Sequence, residues 1–415
     1  MPALSDGPTP GPGADSVTLD DYFGRVPSVV TSATRAPWPY TEQLTSRYGW
    51  YRYMREHNPV ALDPQTGIWS IFRYSDVHRA LTDVADFSNV LPGKPEDDPM
   101  TSTMLRVDLP RHRELRNLVN QAFTSRRVVG LRERVQSLSD ELVTGAAKDG
   151  HVDVAMSIAQ VLPTLVIGSL LGIDLSLTHD FRRWTDAFMR SVVNGPDAEQ
   201  SALLAEMDQY FDHIIEQRRR EQGDDLISAV VHAEADGAHL TNRDVLQFCK
   251  LLLIAGSETT THLITNTVLC LQQRPDLMEG ARRDPARVRA VIEEVLRYLA
   301  PIQAAPRRAR REIRLYDQVI PAGAMVHPWL GSANRDPEEF PDPDVFSLDR
   351  AQGKHISFGY GIHFCVGASL ARLETEVVVT TMLSEFAGAW TIPKMLPIYP
   401  AHQMCGLNSL PLTWS

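Results

Sequence analysis

The chain contains 415 residues, of which 43% are hydrophobic and 22% are charged, and it carries a net charge of −11. These values exclude a disordered or fibrous protein, and the acidic excess argues against a general nucleic-acid-binding protein. The cysteines form no CxxC pair, so neither a disulfide scaffold nor a cysteine zinc site is predicted for Cys249, Cys270, Cys365 and Cys405. We therefore expect a reducing, cytoplasmic setting.

The start of the chain differs in composition from the rest. Residues 1–16 are rich in proline and glycine and lack the basic start and apolar core of a signal peptide. We expect residues 1–44 to be a partly disordered lead and residues 45–415 to form one domain. The longest nearly apolar stretch, residues 161–173, is too short to span a bilayer, so we expect a soluble protein.

The first half of the chain is predicted to be mostly helical. Two apolar runs around a Pro/Gly turn at 60–73 predict a β-hairpin. A helix is expected from Ser75, and a second one across 108–123, where apolar residues recur at helical spacing. Helical patterns then continue through 130–220.

One long helix is predicted across 239–275. Thr241 and Asp244 can form a capping box at its start. The stretch from Val245 to Ala255 is apolar on nearly all sides, which indicates a buried helix. The sequence AGSETTT then places an acid and several hydroxyl groups in its middle. Such groups cost free energy unless they have partners, so we expect a structural or functional reason for them.

The remaining elements are shorter. A helix is expected across 284–301 with Asp284 as its cap, followed by short strands and an extended coil at 333–350. A glycine-rich loop at 358–367 leads into a last helix at 366–386. The expected fold class is mainly α with a small β region.

The loop FGYGIHFCVG at 358–367 carries a single thiol, Cys365. A lone cysteine is often a small core residue. A nucleophile with His363 as its base is a second interpretation, although residues two apart face each other in neither a strand nor a helix. The glycine spacing does not match a dinucleotide-binding loop. Haem ligation fits better, because backbone N–H groups and a helix N-terminus can stabilise a thiolate, and glycines let the backbone lie against a planar macrocycle.

The loop resembles the cysteine-loop signature of the cytochrome P450 family, Phe-x-x-Gly-x-His-x-Cys-x-Gly, at Phe358, Gly361, His363, Cys365 and Gly367. The resemblance covers nearly the whole chain from about residue 45. It implies the cytochrome P450 fold and a haem b cofactor (iron protoporphyrin IX) whose metal ligand is Cys365. It also implies a monooxygenase, since an axial thiolate favours cleavage of the O–O bond.

The stretch AGSETT at 255–260 resembles the oxygen-activating part of the family's central helix. Taken alone, its threonines could instead bond back to the preceding helical turn. The resemblance implies that Glu258 and Thr259 are catalytic and deliver protons during oxygen activation. It also implies that Ala255 and Gly256 leave room beside the haem iron.

Glu294 and Arg297, in the sequence EVLR, lie three residues apart and opposite the apolar stripe of their helix, which favours an exposed pair. The resemblance implies the reverse, a buried structural pair that holds the scaffold of the cysteine loop. Arg335 is the expected third member of this group, with Arg350 as the second choice.

Two haem propionates need cationic or hydrogen-bonding partners. His112 and Arg116 lie four residues apart on one helical face and could, taken alone, form a basic surface stripe. The resemblance assigns them to the propionates, together with Arg307 and His363. Arg308 is an alternative to Arg307, because adjacent arginines leave the register open.

The resemblance also places the substrate near the loop at 85–105, the helices around 175–215 and the C-terminal turn. These regions suggest an apolar, roomy cavity, for which the candidate lining residues are Trp184, Phe188, Met189, Leu299, Ile302, Met404 and Cys405.

The resemblance in style is to actinomycete enzymes of secondary metabolism and antibiotic biosynthesis. We expect hydroxylation or epoxidation of a macrolide, polyketide or terpenoid, with dioxygen and electrons from a ferredoxin or flavodoxin. Arg111 and Arg113 are candidate docking residues for that donor. The alternatives are a peroxide-driven haem-thiolate enzyme, a steroid or fatty-acid hydroxylase of the same family, and a helical binding protein without activity.

Overall fold

A computed structural model describes residues 43–91, 103–147, 150–174, 177–194, 197–235, 238–350, 354–393, 396 and 403–415. The predicted lead, residues 1–44, lies almost entirely outside this part of the chain. The helices are α1 (Gln43–His57), α2 (Tyr74–Thr82), α3 (Arg111–Ala122), α4 (Ser125–Gly130), α5 (Arg132–Ala147), α6 (Val161–Leu171), α7 (Thr178–Asn194), α8 (Ala198–Arg220), α9 (Leu226–Val231), α10 (Asn242–Gln272), α11 (Pro275–Arg283), α12 (Arg287–Tyr298), α13 (Leu330–Ala333) and α14 (Ala368–Glu385). The strands are β1 (Val60–Leu62), β2 (Trp69–Ile71), β3 (Phe87–Ser88), β4 (His151–Asp153), β5 (Glu234–Ala235), β6 (Ala238–His239), β7 (Arg307–Ala309), β8 (Ile313–Leu315), β9 (Gln318–Ile320), β10 (Met325–Pro328), β11 (Trp390–Thr391) and β12 (Pro411–Trp414).

The predicted hairpin at 60–73 is confirmed, and it starts the largest sheet. Val60 pairs with Ile71, so β1 and β2 are antiparallel. This sheet has the order β1-β2-β10-β7-β3, in which only β2 and β10 run parallel. A second sheet, β11-β12-β4, brings the C-terminal strand to the start of the α6 region. The mainly α class with a small β region is therefore confirmed.

The long central helix is confirmed as α10. Thr241 Oγ1 accepts from the Asp244 amide at 3.1 Å, and the Asp244 carboxylate accepts from the Thr241 amide at 3.1 Å, so both halves of the capping box are present. The helix is buried along most of its length and packs against α6, α14 and α8. It therefore crosses the helical core and carries its polar centre inside the molecule.

The helix expected from Asp284 begins three residues later. Asp284 instead ends α11, and its carboxylate accepts from the Ala286 amide at 3.1 Å in the turn before α12. The backbone at Asp284 is extended and separates α11 from α12. Asp284 therefore lies in the turn before α12 and is not its N-terminal cap. The last helix begins at Ala368, immediately after the cysteine loop.

The buried apolar residues form two clusters. The larger one surrounds α10 and includes residues from nearly all the helices, and the smaller one lies between the main sheet, α2 and α13. Cys249 and Cys270 are buried in the larger cluster, as expected for core cysteines. Within the described residues, no helix combines the length and apolar character needed to cross a membrane.

Candidate active site

The cysteine loop is a tight backbone turn. The Cys365 amide donates to the Phe358 carbonyl at 2.9 Å and closes the loop. Gly359 and Gly361 have φ of +72° and +69°, a conformation that L side chains rarely adopt. A Cβ at Gly361 would also lie 3.0 Å from the Leu81 carbonyl oxygen. These glycines are thus required by the turn itself, a reason that the sequence argument from a planar macrocycle did not identify.

The thiol of Cys365 lies at the start of α14. Desolvation by surrounding protein raises its pKa, whereas hydrogen bonds from the Gly367 and Ala368 amides and the charges of Arg116 and Arg372 act in the opposite direction. Backbone N–H groups at a helix N-terminus stabilise negative charge. The loop therefore supplies the thiolate-stabilising groups that the sequence led us to expect.

Basic side chains converge beside this loop. The rings of His112 and His363 lie 4.0 Å apart between centroids. Desolvation, together with the nearby His112, Arg307, Arg116 and Arg106, lowers the pKa of His363 to about 3. We call the five residues His112, Arg116, Arg307, His363 and Arg106 the basic cluster. Sequence reasoning missed Arg106, which stands at the end of the substrate loop rather than in a recognised motif.

The basic cluster fits a doubly anionic group. The Nε2 atoms of His112 and His363 are buried and have no hydrogen-bond partner among the described residues. Buried polar atoms and concentrated positive charge both cost free energy unless they are paired. Two carboxylate groups at this place would satisfy both demands, as the propionates of a haem would.

The structure distinguishes Arg307 from Arg308. Arg307 is 5% exposed and, among the described residues, donates only to the carbonyls of Ala305 and Pro306 on its own segment. Arg308 is half-buried on the opposite face of strand β7. Arg307 is also among the main charges that lower the pKa of His363. The position therefore favours Arg307 as the member of the basic cluster.

The sequence allowed two interpretations of the polar centre of α10, a pair of catalytic residues and threonines that bond back to the preceding turn, and the two are compatible. Thr259 Oγ1 donates to the Ala255 carbonyl at 2.7 Å, the back-bonding that threonines make within a helix. Glu258 is half-buried, with 20% of its side chain exposed. The room that Gly256 is expected to leave beside the haem stays a prediction, but the structure shows a second reason for a glycine here, since a Cβ would lie 2.8 Å from Ile167 Cδ1 on α6. Gly256 is small because two helices cross closely at this point.

Glu294 and Arg297 form a buried pair, as the family resemblance implied. They are 5% and 3% exposed and share two hydrogen bonds of 2.8 and 2.7 Å. Arg297 also donates to the carbonyls of Asn334 and Pro343, which ties the extended coil to α12. The coil covers a polar helix face that the periodicity would leave in solvent.

The third member of this group is Arg350, the second choice, and not Arg335. Arg350 Nε donates to Glu294 Oε1 at 3.2 Å. Arg335 instead donates to the Tyr298 carbonyl at 2.7 Å and to Asp344 Oδ1 at 2.8 Å. It remains a buried structural residue, but it holds the end of α12 rather than the Glu294 carboxylate.

Ile302 and Met404 meet across an isolated antiparallel bridge. The Cys405 amide donates to the Pro301 carbonyl at 2.8 Å, and Asn266 of α10 donates to the Cys405 carbonyl at 3.0 Å. The C-terminal turn is therefore fastened both to the segment after α12 and to the central helix. Ile302 and Met404 stay predictions as substrate contacts.

Four other candidate lining residues are enclosed by protein, and their contact with a substrate stays a prediction. Trp184 and Phe188 are 2% and 1% exposed and belong to the core, where the Trp184 ring packs against the rings of Phe181 and Tyr210 between α7 and α8. Leu299 and Cys405 are 0% and 1% exposed and are equally enclosed. The side chain of Met189 and residues 92–102 lie outside the described residues.

A second charged group, which sequence reasoning missed, lies behind the cysteine loop. Glu293 accepts from Arg372 of α14 at 2.5 and 3.0 Å and from His355 at 3.1 Å. The Arg372 guanidinium also stacks 4.4 Å from the centroid of the Phe358 ring. Glu293 directly precedes Glu294 on a helix with one apolar face. Two adjacent acids there were the signal that a second ion pair forms next to the Glu294–Arg297 pair.

Comparison with known proteins agrees with this geometry. The family model for cytochrome P450 matches residues 62–411. The cyclomarin C epoxidase CymV of Salinispora arenicola is 37% identical over 382 residues, which cover 88% of this chain and 95% of that protein. The cytochrome P450 monooxygenase PikC of Streptomyces venezuelae is 38% identical over 380 residues, covering 88% and 91% of the two chains.

Solved structures show the same fold. Cytochrome P450 CYP109E1 of Bacillus megaterium, solved in complex with testosterone, superposes with a TM-score of 0.81 at 33% identity and covers 89% of this chain and 99% of that chain. The residues that the family model matches, 62–411, include the cysteine loop, the central helix and the buried Glu294–Arg297 pair. The chain therefore belongs to the cytochrome P450 family and is a haem b-dependent monooxygenase.

Proposed function

We propose that the cysteine loop, the basic cluster and the polar centre of α10 form one active site. Cys365 would ligate the iron, and His112, Arg116, Arg307 and His363 would bind the propionates. When bound, the haem supplies activation of dioxygen, so that one oxygen atom enters the substrate and the other leaves as water. The observation that carries this assignment is the pair of buried Nε2 atoms of His112 and His363, which have no partner among the described residues.

Glu258 and Thr259 are proposed to move protons toward the reacting oxygen. The Thr259 hydroxyl already donates its hydrogen to the Ala255 carbonyl, so its oxygen lone pairs are available as acceptors. The Glu258 carboxyl, half-buried one residue earlier, can exchange a proton with solvent and pass it inward. In this arrangement the acid supplies the proton and the alcohol orients the water or oxygen that receives it.

The substrate is proposed to be an apolar molecule of secondary metabolism, a macrolide, polyketide or terpenoid, that is hydroxylated or epoxidised. Ile302 and Met404 support this proposal, because they place apolar side chains where the segment after α12 meets the C-terminal turn, which is fastened to α10. The relatives include a named epoxidase of cyclomarin C, and the testosterone complex makes steroids the class to compare.

A spectral titration tests the substrate class. The purified ferric protein is titrated with macrolides, polyketides, terpenoids and steroids while the haem absorption spectrum is recorded. A shift from low to high spin with a macrolide, polyketide or terpenoid is expected, because an apolar ligand displaces water from the site. A shift with steroids alone would contradict the proposed class and leave the reaction type unchanged.

Enzymes of this family take dioxygen, a substrate and electrons from a redox partner. We propose that the partner here is a ferredoxin or flavodoxin that docks through basic residues near the cysteine loop. Of the two candidates, Arg113 is exposed and makes no ion pair with the described residues. Arg111 is bonded to Asp244 at 2.6 Å and to Glu114 at 3.1 Å, so its charge is largely offset. Arg113 is therefore the stronger candidate.

A further inference from the structure

A buried histidine lies one helical turn beyond the proposed proton donor. His262 and Glu258 are four residues apart on α10, so their side chains lie on the same face. His262 Nε2 is 3.7 Å from Glu258 Oε1. A shift of a few tenths of an ångström would bring this contact to the length of a hydrogen bond.

The two side chains lie in different surroundings. His262 is 1% exposed, whereas 20% of the Glu258 side chain is exposed. The carboxyl group can therefore reach solvent or a substrate cavity, while the imidazole supports it from the protein side. This is the arrangement of a functional group held by a rigid, buried neighbour.

The backbone of the C-terminal turn holds the imidazole in place. A Cβ at Gly406 would lie 2.0 Å from His262 Nδ1 and 2.2 Å from Cγ. The φ of Gly406 is not in the left-handed region, so the contact with the ring, and not the backbone conformation, requires a glycine here. Asn266, one turn further along α10, donates to the neighbouring Cys405 carbonyl and fixes the turn against the helix.

The imidazole can offer Glu258 a hydrogen-bonding group but not a charge. Burial lowers the pKa of His262 to about 3, so the ring is neutral and has one N–H donor. A cationic partner would hold Glu258 as a carboxylate, because an opposite charge favours the ionised form. A neutral partner orients the carboxyl group and still lets it gain and lose a proton.

We propose that His262 is a positioning residue for Glu258, that it holds the carboxyl group in the orientation used for proton transfer, and that Gly406 in turn seats the imidazole. The inference rests on the proposed role of Glu258. Because Met404 lies on the same turn, the orientation of Glu258 is also linked to the segment proposed to contact the substrate.

The test uses the haem-loaded protein without any substrate. A plant-type ferredoxin and its NADPH-dependent reductase supply electrons, and the share of consumed dioxygen that is released as hydrogen peroxide rather than water is measured. Water formation needs a further proton at the oxygen, so this ratio reports proton delivery. His262→Leu keeps the bulk without a nitrogen, and His262→Gln places an amide donor near the Nε2 position.

We expect His262→Leu to slow water formation about tenfold, so that the ratio of hydrogen peroxide to water rises. This factor corresponds to the loss of one hydrogen bond to a charged group. His262→Gln should restore most of it, although both variants alter the packing against Gly406. In a Glu258→Gln background, His262→Leu should cause no further change, since it acts through the carboxyl group. Crystal structures of the ferric variants should show the Glu258 side chain displaced in His262→Leu and retained in His262→Gln.

Other outcomes separate two failures. If Glu258→Gln leaves the ratio of peroxide to water unchanged, the proposed role of Glu258 is wrong. If Glu258→Gln changes the ratio but His262→Leu does not, or if His262→Leu and His262→Gln change it equally, His262 is a packed core residue and the inference is overturned. Thermal unfolding of each variant shows how much of any effect comes from lost stability.

Discussion

At the scale of single residues, Arg307 and His363 make the clearest chemical demand on a ligand. Both belong to the basic cluster, and burial lowers the pKa of Arg307 to about 10 and that of His363 to about 3. Such shifts record the cost of placing basic groups together away from water. A bound dianion would offset this cost, and it would make the affinity for the cofactor depend on individual side chains of the cluster.

The adjacent arginines give a matched pair of variants. We expect Arg307→Leu to release haem about tenfold faster than the wild type, because one charge-assisted hydrogen bond to a propionate is lost. Arg308→Leu, on the other face of the strand, should release it at nearly the wild-type rate. Transfer of haem to excess apomyoglobin measures both rates. Equal acceleration by the two variants would contradict the register that the structure shows.

At the scale of elements, the crossing of α10 and α6 depends on a glycine. Intrinsic helix propensity alone predicts that Gly256→Ala stabilises the helix by about 1 kcal/mol. The close approach of Ile167 predicts the opposite, a loss of about 1–3 kcal/mol from overpacking. The two arguments differ in sign, so one measurement decides between them.

Gly256→Ala is therefore expected to lower the free energy of unfolding, and Ile167→Val, which removes the atom nearest to the new methyl group, should recover part of the loss. Urea unfolding of the single and double variants measures this coupling. A stabilised Gly256→Ala protein would show that the two helices have room to spare at this position.

The Glu293 carboxylate joins α12 to α14 and responds to pH. Desolvation alone would raise the pKa of Glu293, but hydrogen bonds from His355 and Arg372 outweigh it and hold the pKa at about 2, below its usual 4.5. A depressed pKa in the folded state means that the stabilisation is present above pH 4.5 and is lost as the pH falls toward about 2.

Glu293→Gln should accordingly be less stable than the wild type at neutral pH, with a difference that shrinks as the pH falls from about 4.5 toward 2. Unfolding of both proteins by urea across this range measures the difference in free energy. A difference that stays constant with pH would mean that packing, and not the charge of Glu293, joins the two helices.

At the scale of the whole molecule, much of the site was predictable because its motifs are local in sequence. The capping box of α10, the cysteine loop and the Glu294–Arg297 pair each lie within ten residues, so their spacing can be read directly from the sequence. The choice between Arg335 and Arg350 was not predictable, since both lie on an extended coil whose path only the packed structure defines. The burial of Trp184 and Phe188 was not predictable either, because the resemblance points to a region of the chain and does not say which of its side chains other helices cover.

The docking of a redox partner depends on the charge of the protein surface around Arg113. Ferredoxins and flavodoxins are usually acidic, and association between opposite charges is fast and sensitive to salt. We expect Arg113→Glu to slow electron transfer from the donor and to weaken its dependence on ionic strength. Arg220→Glu, the same charge change at the exposed end of α8, is the control and should have little effect. Equal responses from the two variants would place the docking surface elsewhere.

The account depends most on the assignment of Cys365 as the axial ligand of a haem. The absorption spectrum of the reduced protein under carbon monoxide tests it most directly, because the position of the main band distinguishes a thiolate ligand from a nitrogen ligand. We predict a thiolate-type band for the wild type and its replacement by an imidazole-type band in Cys365→His. A wild-type protein that binds no haem, or a variant whose band does not move, would contradict the assignment.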